Sequence, residues 1–472
     1  MAEAIAEMVL PGTYIEVRAE GLISVGAIST GNIGIVGTAA RGPRNEVRAI
    51  GSYAEALDLF GAYDSFAAPT VADTPLTLTR TLERAFAGGA KNVFAVRIAN
   101  GDPAAASVAV RAEGNKAGFT LTAVDAGSWG NDIAYTVVNE GTASAQDWKL
   151  TLTYRNVEET FRGATVGDVH AALAGSALVT AGAASNAGTG FDTVDPAQQL
   201  TGGVDNPNVS SVDMAEGLAA LADQEVNILL VAGVGSDVAR GIVAAHLEQT
   251  ENESNERIAI LGASESGTPS DAAAVLEEAE AISDDRIVLV APGLLATDAR
   301  SGQEVALPPP YLAATVAGIL STLAPQISLT NKTVPIDGLD VAYSATTYKN
   351  LLQNRVLLVR KKLGFQVVKG ITTDAGAFRQ ISVRRIVDFA KTGVRSGADS
   401  YIGRLNNARV RAALKATLDG FLSQMVLDEM LVSYELDVTA TRAQEIQGIC
   451  SVTMTLLPTF SIDFIRVTMN LQ

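Results

Sequence analysis

Gly233 and Gly235 follow the apolar run Asn227–Ala232 and precede a helical pattern, the placement a dinucleotide-binding turn uses to bring backbone close to a pyrophosphate. Val238 stands where the third glycine of that fingerprint belongs, so a tight strand-to-helix turn accounts for the pair. The stretch Gly262-Ala263-Ser264-Glu265-Ser266 approaches a nucleophile elbow but ends on serine instead of glycine. Neither His170 nor His246 follows it in the chain, as that catalytic order requires. Glu277, Glu278, Glu280, Asp284 and Asp285 could gather a cation, yet no Asp/Gly loop or histidine partner accompanies them, and a solvated helix face explains the cluster. With two histidines and one cysteine, Cys450, the commonest general base and the commonest soft ligand are scarce. The expectation is a protein without catalytic residues, cofactor or metal.

The chemistry that remains is charge. Thr346–Gly420 holds fifteen basic residues against Asp374, Asp388, Asp399 and Asp419, a net +11 in a chain whose total is −17, which leaves −28 elsewhere. Such a reversal reads as a surface for an acidic neighbour. Three destinations are open: a solvated face, nucleic acid, or an acidic protein surface. The aromatics of the segment do not interleave with its cations, and the overall acidity argues against nucleic acid. The residues proposed for contact are Arg384 and Arg385, or Arg404, Arg411 and Lys415.

These positions need elements to hold them. At 472 residues, 47% hydrophobic and 18% charged, the chain predicts two to four well-packed domains. A single cysteine excludes internal disulfides and suits a reducing compartment. Met1–Leu10 has two glutamates and no basic residue, unlike a secretory leader. The apolar runs Val226–Val234 and Tyr311–Ala324 fall short of the ~20 residues that cross a bilayer, so no membrane insertion is expected.

The periodicity predicts an α/β multidomain chain. Strands Asn32–Gly37, Asn92–Ile98, Val226–Ala232, Arg257–Leu261 and Arg286–Val290 alternate with helices Ser52–Phe60, Pro75–Ala87, Asp237–Glu248 and Ser270–Ile282, and with a helix after Pro308-Pro309-Pro310. Ser52 and Thr74 are candidate caps. This α/β domain is expected over 28–104 and 209–344, with a mainly β domain inserted at 105–208. An α+β C-terminal domain follows at 345–458, with strands Arg355–Arg360 and Phe365–Val368 and amphipathic helices Ser382–Val394 and Arg404–Met425. On the second helix Arg404, Arg411 and Lys415 share the polar face. Strands Val432–Thr441 and Cys450–Leu456 end the domain.

Both chain ends read as strands. Thr13, Ile15 and Val17 alternate with Tyr14 and Glu16 in an arm over 1–27, and Ile465, Val467, Met469 and Leu471 share one face of an arm over 459–472. Such edges either pair within their own domain or are donated to neighbouring subunits. The sequence leaves both open.

Several stretches resemble the sheath proteins of contractile phage tails and related injection systems. Leu10–Val17 (LPGTYIEV) is similar to that family's opening arm, Gly127-Ser128-Trp129-Gly130-Asn131-Asp132-Ile133 to its central signature, and Lys369–Thr373 and Ile381–Ile386 to C-terminal stretches. The closing Asp463–Leu471 resembles its C-terminal arm, so the resemblance runs the length of the chain. It implies a homo-oligomer, a helical sheath of stacked rings whose arms donate strands, and a C-terminal domain facing an inner tail tube protein. It also implies baseplate and tail terminator proteins as partners, no direct nucleic acid, and a place in the virion tail after assembly in the host cytoplasm, or in a bacterial cytoplasm as part of an injection machine. The rival readings are a static strand-exchanged shell or tube protein, and an α/β enzyme with an accessory β domain.

Overall fold

The strand-like apolar runs become the centre of an eight-stranded sheet. The computed structural model describes residues 28–62, 76–142, 145–264, 271–298 and 302–470. Ile33–Gly37 (β1) is buried throughout; Val47–Ile50 (β2) pairs antiparallel with Val93–Arg97 (β3), which pairs parallel with β1. Ser52 caps Tyr53–Phe60 (α1) by accepting from the Glu55 N–H. Leu78–Ala87 (α2) begins after Thr77; the expected cap Thr74 lies outside the described residues.

A β-rich segment then interrupts the alternation. Ser107–Ala112 (β4), Lys116–Ala123 (β5), Ala134–Asn139 (β6), Trp148–Tyr154 (β7) and Val157–Gly163 (β8) precede the short helix Val166–Ala172 (α3), and Val179–Ala181 (β9) and Val194–Gln199 (β10) follow it. They form two antiparallel sheets, β10-β6-β7-β8 and β4-β5-β9. Phe119, Trp129, Tyr135, Leu150, Trp148 and Phe191 fill one shared core.

The α/β alternation resumes with Ser211–Ala220 (α4), Ile228–Val231 (β11), Ser236–Asn252 (α5), Ile258–Gly262 (β12), Ala272–Glu280 (α6) and Ile287–Ala291 (β13). Leu294–Thr297 (β14), Glu304–Leu307 (β15) and Gly338–Leu339 (β16) make a small sheet around Pro309–Ser321 (α7), which starts at the proline run with Pro at its first positions, where a missing N–H costs nothing. Helix α7 lies against β12 and α2; a Cβ on Gly318 would meet the Ala85 carbonyl at 2.1 Å, so only glycine permits this approach. Ala345–Gln353 (α8) leads to Val356–Lys361 (β17) and Phe365–Val367 (β18).

The complete order is β18-β17-β13-β12-β11-β1-β3-β2, six parallel strands with an antiparallel strand at each edge. One face packs on α1, α2 and α7, the other on α4, α5, α6 and α8. This corrects the expected junction at residue 345: β17 and β18, assigned by sequence to the C-terminal domain, continue the α/β sheet. Position in the chain does not reveal a strand's partner, and β17 crosses over to pair with β13 only after the α7–α8 excursion.

The remaining elements are Ile381–Asp399 (α9), Ala408–Leu427 (α10), Leu431–Thr439 (β19), Arg442–Ile446 (α11) and Ser451–Pro458 (β20). Helices α9 and α10 cross at Gly393, where a Cβ would meet the Phe421 ring at 2.0 Å. Strands β19 and β20 form a two-stranded hairpin whose Tyr434, Leu436 and Leu456 pack on these helices. A bulge between Leu431 and Ser433 turns Val432 out to solvent, 61% exposed, while Tyr434 and Leu436 stay on the packed face. Among the described residues no helix is long and apolar enough to cross a membrane.

Candidate assembly surface

The turn around Gly233 and Gly235 is occupied by the chain itself. The Glu278 carboxylate accepts the Ser264 N–H at 3.0–3.1 Å and the Ser236 hydroxyl at the N-terminus of α5, and Ser264 Oγ accepts the Asp237 N–H at 3.1 Å. The Ser264 hydroxyl thus takes a turn N–H that a nucleotide-binding turn would offer to phosphate, and the Glu278 carboxylate lies beside it on the Ser236 hydroxyl. Glu265 and Ser266 lie outside the described residues. The acidic cluster is not one solvated face either: Glu277 and Glu280 are exposed, but Asp284 accepts the Arg286 N–H and Asp285 pairs with Arg384.

The basic block finds much of its acidic neighbour inside the chain. Arg384 is buried on α9; it donates to Asp285 and Asp388 at 2.7 Å each and stacks over Phe378 at 4.3 Å. Arg286 donates to Glu251 at 2.7 Å and Asp388 at 3.0 Å, Lys391 reaches Glu251 at 2.7 Å, and Arg395 pairs with Glu256. Hydrogen bonds from Arg286, then Lys391, hold the Glu251 carboxyl down to about 2. Arg385 is buried as well and donates to the Leu323 and Ala324 carbonyls just past α7 and to the Thr30 carbonyl. Burial lowers its guanidinium to about 10, which leaves it charged at neutral pH. The expectation that Arg384 and Arg385 face another protein is therefore corrected: they seal α9 onto the α/β layer. Helical spacing marks residues that share a face; it does not say whether that face is covered.

Arg404, Arg411 and Lys415 are arranged differently from the expected stripe. Asn407 caps α10 by accepting the Val410 N–H, so Arg404 precedes the helix and stacks over Tyr401 at 5.0 Å. Arg404 is exposed beside Ile402 and Leu405, which are 79% and 78% accessible. Arg411 pairs with Glu445 at 2.9 Å and Lys415 lies 3.7 Å from Asp437, half exposed.

The C-terminal hairpin has one covered face and one exposed face, with Ser433, Glu435 and Asp437 in solvent. Among the described residues neither β19 nor β20 has a second partner strand. Residues 459–470 form no strand of their own, and Ile465, Val467 and Met469 stand 83%, 73% and 86% exposed. These apolar side chains alternate along the sequence and are left in solvent, as an interaction surface leaves them before its partner binds. Thr13, Tyr14, Ile15, Glu16, Val17 and Leu471 lie outside the described residues.

The Trp129 stretch forms a clasp at the root of the β-rich segment. Ser128 donates its N–H and hydroxyl to Asp205 at 2.6 and 2.5 Å, and Asn131 exchanges two hydrogen bonds with Gly203. Trp129 Nε1 donates to the Asp125 carbonyl while Arg41 lies 4.1 Å over its ring. The buried Arg97 at the end of β3 donates to the Gly42 and Ala126 carbonyls at 2.7 and 2.6 Å. Gly127, at φ +134, passes so close to the Ala40 carbonyl that a Cβ would lie at 2.0 Å.

Set against known proteins, this architecture is similar to that of solved sheath tail proteins, and residues 373–472 match the family described as phage tail sheath C-terminal domain. That segment holds α9, α10, the hairpin and the exposed arm, and the resemblance read from the sequence is borne out there. The chain is 24% identical over 273 residues to the tail sheath protein of Mycobacterium phage Bxz1, a match covering 55% of this chain and 46% of that protein. The match thus spans about half the length of this curated relative. A crystal structure of a sheath tail protein from Desulfitobacterium hafniense shares the fold at a TM-score of 0.68 and 18% identity, over 95% of this chain and 100% of that one. The helical sheath of the anti-feeding prophage in its contracted state aligns at 0.55 and 15% identity, over 98% and 99%.

Proposed function

We propose that this chain is the structural subunit of a contractile tail sheath, polymerising helically around an inner tube and contracting to drive it through a target envelope. The observation that carries this reading is the solvent-exposed, alternating apolar arm beside a hairpin with unpaired outer edges. An arm and a receptive edge on the same molecule make a head-to-tail contact that repeats indefinitely when its rotation does not close. Residues 1–27 act as a second arm. The β-rich segment projects outward from the α/β layer, and the C-terminal unit begins after β18 and faces the tube.

Tube contact falls to Arg404 and Lys415, flanked by Ile402 and Leu405, with Arg411 held beside them against Glu445. Exposed charge pairs, each worth roughly 0–1 kcal/mol, give contacts that are strong in number and separately breakable when the sheath slides. Ladders survive subunit rotation because connecting segments absorb it. The partners are further copies of the chain, the tube, baseplate and terminator proteins, and the location is a virion tail or an injection machine. The chain carries out no catalysis in this reading. Removing Asp463–Gln472 tests it: the truncated chain stays a folded monomer and forms no polymer, whereas long sheaths from it would remove the proposal. A static shell, the alternative, gives particles of one length only in electron micrographs.

A further inference from the structure

We infer that Lys369 and Gln380 form a clamp at the root of the C-terminal arm that aims residues 465–472 at a neighbouring copy of this chain, an inference that rests on the strand-donation reading. The Gln380 amide embraces the arm: its Oε1 accepts the Ser461 N–H at 3.0 Å, and its Nε2 donates to the Ser461 carbonyl at 3.3 Å and to Asp463 Oδ2 at 3.2 Å. The same carboxylate oxygen receives Lys369 Nζ at 3.0 Å, and that ammonium lies 5.2 Å from the Phe464 ring centre. Both charged side chains are sheltered, 15% and 13% exposed, where an ion pair is stronger than on an open surface.

The clamp is itself held. Ile371 and Gln380 form an isolated bridge, the Gly370 N–H donates to Thr330 Oγ1 at 3.1 Å, and the Ile381 N–H donates to the Gly370 carbonyl. Lys369 follows the edge strand β18, so the arm is pinned to the α/β sheet edge and not to the hairpin it has just left. Strand β20 ends at Pro458, and three residues later the chain is already fixed at Gln380. Pinned there, the arm is drawn away from continuing its own hairpin, which leaves that hairpin's edges for another copy. Immediately beyond the clamp the polar contacts stop and the exposed apolar alternation starts at Ile465. The eight residues 465–472 reach roughly 26 Å at ~3.3 Å per residue, enough to run beside the eight-residue β20 of a neighbour.

The test compares full-length chains carrying Lys369→Asp, Asp463→Lys, both together, and Gln380→Ala, with a chain ending at Phe464. Each is checked for a native thermal transition, and polymer is measured by sedimentation against protein concentration. The single charge variants and Gln380→Ala raise the critical concentration by about tenfold, the effect of one charge-assisted hydrogen bond per contact. The double exchange, which restores the ion pair with reversed polarity, recovers most of the loss, and an unfolded single variant is judged by this recovery. Wild-type assembly by the single variants, or a double exchange no better than either single, overturns the clamp. If the chain ending at Phe464 fails to assemble while the clamp variants assemble normally, the clamp alone is wrong. If that shortened chain assembles fully, strand donation is wrong and the clamp falls with it.

Discussion

Arg384 and Asp285 meet at 2.7 Å across the seam between helix α9 and the loop feeding β13. The same guanidinium bonds Asp388 one helical turn further along α9, and Asp388 in turn holds Arg286. A basic helix that looked made for a partner is thus clamped to the acidic side of its own α/β layer. These ion pairs tie the C-terminal helices to the α/β layer.

Arg384→Ala leaves Asp285 and Asp388 short of a partner inside the seam. Breaking a buried pair from one side costs about 3–5 kcal/mol. Chemical denaturation of the monomer reads this as an earlier unfolding midpoint. A stable monomer with weakened tube binding would instead return Arg384 to the outer surface.

Acid weakens the same seam. Glu251 titrates at about 2 in the folded chain against 4.5 ordinarily, so its stabilising contribution is fully present above 4.5 and is lost as pH falls through 4.5 toward 2. His246 adds an earlier loss. Burial, then the Arg257 charge 3.1 Å away, lowers it to about 4 from 6.5, so the folded state keeps it neutral while the unfolded state takes up a proton between 6.5 and 4. Unfolding midpoints measured from pH 7 to 3 decline in both intervals, and His246→Gln removes the decline between 6.5 and 4.5, leaving the Glu251 loss below it.

Asp205→Ala opens the clasp beneath the β-rich segment. It deprives Ser128 of two acceptors and the buried Arg97 of its nearest carboxylate, 3.6 Å away. The expected cost is about 3 kcal/mol, with faster proteolytic cutting at the linkers around residues 100–104 and 206–209. An unchanged cutting pattern would mean that the clasp does not govern how the segment is held.

Arg404→Glu with Lys415→Glu leaves folding intact, because both side chains are exposed. Cosedimentation with the tube weakens, and the deficit grows at low salt, where charges act over a longer range. Equal binding at every ionic strength would make these two residues a solvated face.

The strands of the main sheet were legible because buried parallel strands are continuous apolar runs, as in Ile228–Val231 and Ile287–Ala291. Sheet membership was not, and so β17 and β18 were placed in the wrong unit. The periodicity of α9 was also legible, but the cover over Arg384 and Arg385 comes from Asp285, Leu323 and Ala324, distant positions that no local pattern links to them. The pairing of Lys369 and Gln380 with Asp463 was hidden for the same reason: Asp463 lies 83 residues beyond Gln380. The alternation of Ile465, Val467 and Met469 was plain in the sequence, while its exposure needed the structure.

Electron cryomicroscopy of polymer grown from the full-length chain shows directly where each arm goes. Strand donation predicts that residues 465–471 of each copy run as a strand hydrogen-bonded along the β19–β20 hairpin of a neighbouring copy. An arm folded back onto its own hairpin, with subunits joined through other surfaces, would contradict it.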